Sequence, residues 1–316
     1  MDPTFIFAEI WRDFDENYGL FEVKHVNWDS IFHAINPTLN NESTTYDLYE
    51  RVTEMLANLN DKHVTLFPSS NPELTRWSID LDSLGIYHND VFDLKVIKNN
   101  YLQNFDSVLP YVQFGLLSDE IGYIHFQHMD GNWKSYQKSI DRALDKFSAV
   151  NGLVIDLRDC GGGYDPISQY VAGRFCKDTK LFMTTKKKNG PGHLDFGSTE
   201  SYTINPTGSS QYTKPIVLLT SSITASAGES LTLALKTQNH VIHMGGVTAG
   251  NFSDNPMWES SNGWSYTISI GDYRDINGES LEEKGITPDQ LVESDKTALR
   301  NGRDLVLEKA IETLQD

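Results

Sequence analysis

The chain has 316 residues, 39% hydrophobic and 22% charged, which is the balance of a folded globular protein and excludes a disordered one. Acidic residues outnumber basic ones 44 to 26, and the resulting formal net charge of −18 disfavours a nucleic-acid partner. No stretch approaches the ~18–20 apolar residues of a membrane span, and Met1-Asp2-Pro3-Thr4 lacks the basic and apolar regions of an export signal, so none is expected on this chain.

Residues 1–70 read as a helical subdomain. Phe5, Ile6, Ile10, Trp11 and Phe14 recur at helical spacing until Asn17-Tyr18-Gly19. A short helix is expected over Trp28–Ile35, ending at Asn36-Pro37. Thr44 with Asp47 forms a capping-box pattern ahead of the stripe Leu48, Val52, Met55, Leu56 and Leu59. That helix runs out through Asn60-Asp61-Lys62-His63 into the β-like Val64–Phe67.

Residues 71–316 read as an α/β domain. Leu84–Tyr87 and Val91–Val96 are short strand candidates, and Ile121–Phe126 is a strand followed by a helical stripe from Trp133 to Phe147. The basic run Lys186-Lys187-Lys188, next to Asn189-Gly190-Pro191-Gly192, is most simply a solvated turn. Leu153–Leu157 and Ile216–Leu219 are buried strands, each leading into a helix, Val241–Met244 returns to the sheet, and a final helix fits Leu299–Leu314. Strands alternating with amphipathic helices predict a largely parallel sheet flanked by helices.

Ligands of such sheets bind beyond the carboxyl ends of the strands. One segment there is Asp156–Gly163, whose glycines 161–163 let the main chain approach a ligand or simply make a tight turn. The other is Thr220–Glu229. Ser226 at a helix start would sit in positive potential beside N–H groups able to hold an oxyanion. Ser226 with Glu229 also matches a capping box, so a plain helix cap is the competing reading. A reactive serine needs a base. His63 lies at an element junction beside Asp61, whereas His125, His128 and His243 belong to strand ends and read as structural. No histidine pair has zinc spacing, and Cys160 and Cys176 form neither a disulfide framework nor a metal cluster.

Across roughly residues 120–292 these segments resemble the S41 peptidases, the C-terminal processing and tricorn-core group. Ile121–Ile124 resembles the opening core strand and Gly152–Gly163 the Asp-Leu-Arg-x-Asn-x-Gly-Gly block, with Cys160 in place of asparagine. Pro215–Glu229 resembles the nucleophile block, and Glu282–Asp289 the Glu-x-x-Gly-Ile-x-Pro-Asp block. Processing members place a lysine base after the next strand, where this chain has Asn251. Lys236, ten helical residues beyond Ser226, would lie ~15 Å along the axis and cannot replace it.

The resemblance implies a crotonase- or ClpP-like core and, following the tricorn-like branch, a Ser226–His63–Glu282 set. Asp61 is a substitute for or partner of Glu282, Lys62 stands where that branch can carry a serine, and Gly163 and Ala227 are the oxyanion donors. It also implies a peptide or unstructured-protein substrate and no metal or organic cofactor. The fifty or so residues between Phe67 and Ile121 are too few for the PDZ module of processing members (ordinary small-domain sizes), so none is expected. The rival expectation is a hydrophobic-ligand-binding module, since interphotoreceptor retinoid-binding proteins resemble the same fold.

Overall fold

The computed structural model describes residues 2–68, 73–79 and 91–316. Several helix starts along it are set by side chains that satisfy free N–H groups. Asp2 caps α1 (Pro3–Asn17) and Asn27 caps α3 (Trp28–Ile35). Thr44 caps α4 (Thr45–Ala57) in the expected box with Asp47. The single turn α2 (Phe21–Lys24) is too short to show a periodic stripe. The chain then enters β1 (Thr65–Phe67) and β2 (Trp77–Ser78).

The candidate strand Leu84–Tyr87 lies outside the described residues. The strand expected at Val91–Val96 is instead the start of helix α5 (Leu94–Asn100), because Asp93 Oδ1 accepts from the Lys95 N–H at 2.8 Å and the helix buries Ile97. Next come β3 (Asn104–Leu109), β4 (Val112–Leu116), β5 (Ile121–Phe126), α6 (Trp133–Lys146), β6 (Gly152–Asp156) and α7 (Asp165–Gly173). The basic run expected as a turn closes strand β7 (Lys180–Lys187), where Lys187 pairs with Asp254 at 2.5 Å.

After β8 (Glu200–Ile204) the chain forms β9 (Ile216–Thr220), α8 (Ala227–Lys236) and β10 (Val241–Gly245). Four short strands follow, β11 (Met257–Glu259), β12 (Ser265–Thr267), β13 (Gly271–Asp275) and β14 (Gln290–Leu291). The single final helix expected over Leu299–Leu314 is two, α9 (Lys296–Arg300) and α10 (Leu305–Gln315). Gly302 at φ 78° turns the chain between them, and Asp304 starts the second.

The chain divides into two compact units. The first comprises Met1–Leu84, Thr184–Glu200 and Asn251–Arg274. Its antiparallel sheet has the order β11-β12-β1-β2, with Leu66 opposite Tyr266. The helical stripes of α1 and α4 bury against Trp264, Tyr266 and Ile268 in one apolar cluster. Each such large side chain contributes roughly 1.5–3 kcal/mol on burial.

The second unit holds a seven-stranded sheet of order β14-β10-β9-β6-β5-β4-β3. The pairs from β14 to β5 are parallel, and β4 and β3 add an antiparallel edge. This is the expected largely parallel α/β sheet. Its central strands β6 and β9 are buried along their whole length, and α10 packs on them through Val306, Leu307 and Ala310. Among the described residues no helix is long and apolar enough to cross a membrane.

Candidate active site

The loop from β9 to α8 is stitched to the loop after β6. Thr224 Oγ1 donates to the Leu157 carbonyl at 2.7 Å, the Ala225 N–H donates to the Cys160 carbonyl at 3.0 Å, and Ser221 Oγ donates to the Arg158 carbonyl. These bonds deliver Ser226, half-buried, at φ 52° and ψ −123°. Ordinary caps in this protein are extended, as at Thr44 (φ −79°) and Asn132 (φ −78°). A residue that only capped a helix would have no reason to leave that region.

The glycine turn faces this serine. Gly162 has φ 95°, and a Cβ there would lie 2.7 Å from both the Ala225 carbonyl oxygen and Ser226 Cβ, so only glycine fits. Gly163 follows at φ 140°. Among the described residues the N–H groups of Gly163 and Ala227 have no partner. Cys160 lies beneath, its thiol wholly buried and pushed up to about 12 by burial, which removes it as a nucleophile at neutral pH.

The buried Glu229 joins Ser226 to two further loops. Its Oε2 accepts from the Ser226 N–H at 3.1 Å, and its Oε1 accepts from Thr248 Oγ1 and, at 2.8 Å, from the Gly250 N–H. Thr248 Oγ1 accepts from the Ile286 N–H at 2.7 Å, and the Gly250 carbonyl accepts from the Glu283 N–H at 2.8 Å. The loop carrying the buried Glu282 is thus tied through Glu229 to the Ser226 backbone. Ser226, Gly163, Ala227 and Glu282 all belong to the second unit. Thr248 had no motif to mark it, and the linking role of Glu229 was hidden inside a cap pattern.

His63 and Asp61 belong to the first unit. His63 is 9% exposed, and its Nδ1 is buried without a partner among the described residues. Its carbonyl accepts from Thr267 Oγ1 at 2.6 Å, which fixes the main chain. Burial holds the imidazole below the ordinary histidine value, against the opposing pull of the Asp61 and Asp254 carboxylates. Asp61 Oδ1 accepts from the His63 N–H at 2.8 Å, and its Oδ2 accepts from the Tyr18 hydroxyl at 2.9 Å.

His125, His243 and Lys236 are engaged elsewhere, while His128 is exposed beside Gly161. His125 is enclosed between Gln113 and Asp159 and stacked on Phe92. His243 Nε2 lies 2.7 Å from Thr220 Oγ1, and burial pushes its imidazole down to about 3. Lys236 ends α8 and pairs with Asp289 at 2.6 Å. Asn251 is buried.

The family model described as peptidase family S41 matches residues 120–292, and that of the tricorn protease C1 domain matches residues 2–57. A carboxyl-terminal-processing protease of Synechocystis sp. is 25% identical over 224 residues, which cover 70% of this chain and 48% of that protein. The chain spans about half or less of the length of the curated relatives it matches. The crystal structure of a candidate peptidase from Parabacteroides merdae aligns with a TM-score of 0.88 at 27% identity, covering 100% of this chain and 98% of that one. A photosystem II D1 C-terminal processing protease, at 17% identity and a TM-score of 0.62 over 95% of each chain, shares the fold.

Proposed function

The chain belongs to peptidase family S41, a family of serine-type peptidases, and we propose that it hydrolyses peptide bonds through an acyl-enzyme on Ser226. The observation that carries this is the backbone of Ser226. Its positive φ stores strain of roughly 1–3 kcal/mol, and the glycine turn packs against its Cβ, with the Gly163 and Ala227 N–H groups without a partner among the described residues. The carboxyl-terminal-processing names of the relatives support tails of unstructured protein as the substrate class.

In this reading His63 removes the Ser226 proton as Oγ attacks the scissile carbonyl carbon. The oxyanion accepts hydrogen bonds from the Gly163 and Ala227 N–H groups. Collapse expels the amine, which takes the proton from the imidazolium, and water then attacks the ester with the same imidazole as base. The orienting role falls to Glu282 or Asp61, and Asp61 also fixes the main chain that carries the imidazole. His63 is the proposed base because Lys236 is paired with Asp289 at the far end of α8 and Asn251 cannot take a proton.

A base must be neutral to act, and burial lowers the His63 pKa. kcat/KM is therefore expected to rise with pH through an apparent value below the ordinary ~6.5 and then to stay level. His63→Gln is expected to abolish acylation of Ser226, whereas Lys236→Met and Lys62→Met each keep most of it. Loss of acylation in either lysine variant with His63→Gln still active would contradict the base assignment.

A further inference from the structure

Asp130 lies beside the glycine turn, and no motif marks it. The parallel pairing of β5 with β6 continues past the strand ends, where the Gly161 N–H donates to the Gln127 carbonyl at 3.2 Å and the Met129 N–H to the Gly162 carbonyl at 2.7 Å. The Tyr164 N–H donates to the Met129 carbonyl at 3.2 Å. This zipper holds Asp130 against Gly163, where a Cβ would lie 2.6 Å from Asp130 Oδ1. A Cβ is roughly 2.5 Å from its own amide nitrogen by covalent geometry, so the carboxylate oxygen is within ~5 Å of the Gly163 N–H.

Asp130 is exposed, and among the described residues it has no hydrogen bond or ion pair. Tyr164, whose N–H joins the same zipper, is also exposed, at 62%.

A carboxylate in this position opposes the chemistry proposed for its neighbour. The Gly163 N–H is to hold a developing oxyanion, and a fixed negative charge close by raises the energy of that state. A cationic group on the substrate would remove the penalty and pair with the carboxylate, and the exposed Tyr164 ring suits the same cation. The overall charge of −18 favours the approach of such a substrate.

We propose that Asp130 is a specificity-determining residue that selects peptides with a lysine or arginine side chain next to the scissile bond. This inference rests on the reading of Ser226 as the nucleophile. It makes the carboxylate unfavourable for neutral substrates and favourable for basic ones, so removing the charge moves the two in opposite directions. A residue that merely supported the loop would move both together.

The test uses the full chain and unstructured quenched-fluorescence peptides that differ only in one residue flanking the cut, lysine against the uncharged norleucine. The wild type is expected to favour lysine by about tenfold or more in kcat/KM, and less so in high salt. Asp130→Asn should lower turnover of the lysine peptide and raise that of the norleucine peptide. Asp130→Glu should keep the preference, and Asp119→Asn, which removes another exposed carboxylate, should leave it unchanged. An unchanged ratio in Asp130→Asn, or an equal loss on both peptides, overturns the inference. Labelling of Ser226 by an uncharged fluorophosphonate separates the two readings. Labelling with no lysine preference sinks the role of Asp130 alone, whereas no labelling of the wild type sinks the nucleophile and this inference with it.

Discussion

At Ser226 the backbone is held by the bonds of the preceding loop and by one buried carboxylate. Glu229 accepts from the Ser226 N–H with one oxygen and from Thr248 and Gly250 with the other, so it sets both the serine and the loops behind it. Glu229→Gln keeps the volume but weakens the charge-assisted bonds and turns an amide group toward a donor. We expect Ser226 acylation to slow by about 100-fold, the scale of a small misplacement of a reacting group, with the fold retained. Labelling kinetics beside a thermal melt check this, and an unchanged rate would show that the serine turn holds itself. In the sequence Ser226 and Glu229 are visible only as a cap pattern, because cap and nucleophile use the same residues. What separates them is φ, which depends on bonds from Ala225 and Thr224 to the distant Cys160 and Leu157.

Elements with strong local signals form where periodicity and caps place them, as α1, α3 and α4 illustrate. The departures have local causes that a hydrophobic pattern overrides on paper. Val91–Val96 alternates like a strand, yet Asp93 caps a helix there. The stripe through Leu299–Leu314 is continuous in spacing, yet Gly302 turns the chain and Asp304 restarts it. Asp304 also reaches Arg158, at 2.9 Å from Nη1 to Oδ1 and 2.8 Å from Nη2 to Oδ2, while Arg158 grips Asp156 and Asp156 accepts from the Tyr123 hydroxyl. The network fastens α10 to the end of β6, just before the glycine turn. Asp304→Ala removes the cap and leaves the wholly buried guanidinium with a single carboxylate. We expect a loss of about 3–5 kcal/mol in urea unfolding. A loss under 1 kcal/mol would mean that Asp156 alone suffices for Arg158.

At the scale of the whole molecule the chain is interleaved, and this is the part least legible in the sequence. The helical start is visible, but its core is completed by Trp264, Tyr266 and Ile268, about two hundred residues away. No local composition announces that Thr184–Glu200 and Asn251–Arg274 join the first unit, because the pairing of β1 with β12 is a long-range event. The sheet of the second unit is more readable, since each of its buried strands is a short apolar run followed by a helix. The proposed chemistry makes Ser226 the nucleophile and His63 its base. Intact-mass analysis after treatment with an uncharged fluorophosphonate, with the modified peptide sequenced, tests that claim most directly. The account expects one stoichiometric adduct on Ser226 in the wild type, none in Ser226→Ala, and none in a folded His63→Gln variant. A wild-type chain that takes up no adduct, or a Ser226→Ala chain that is labelled as fast as the wild type, would contradict it.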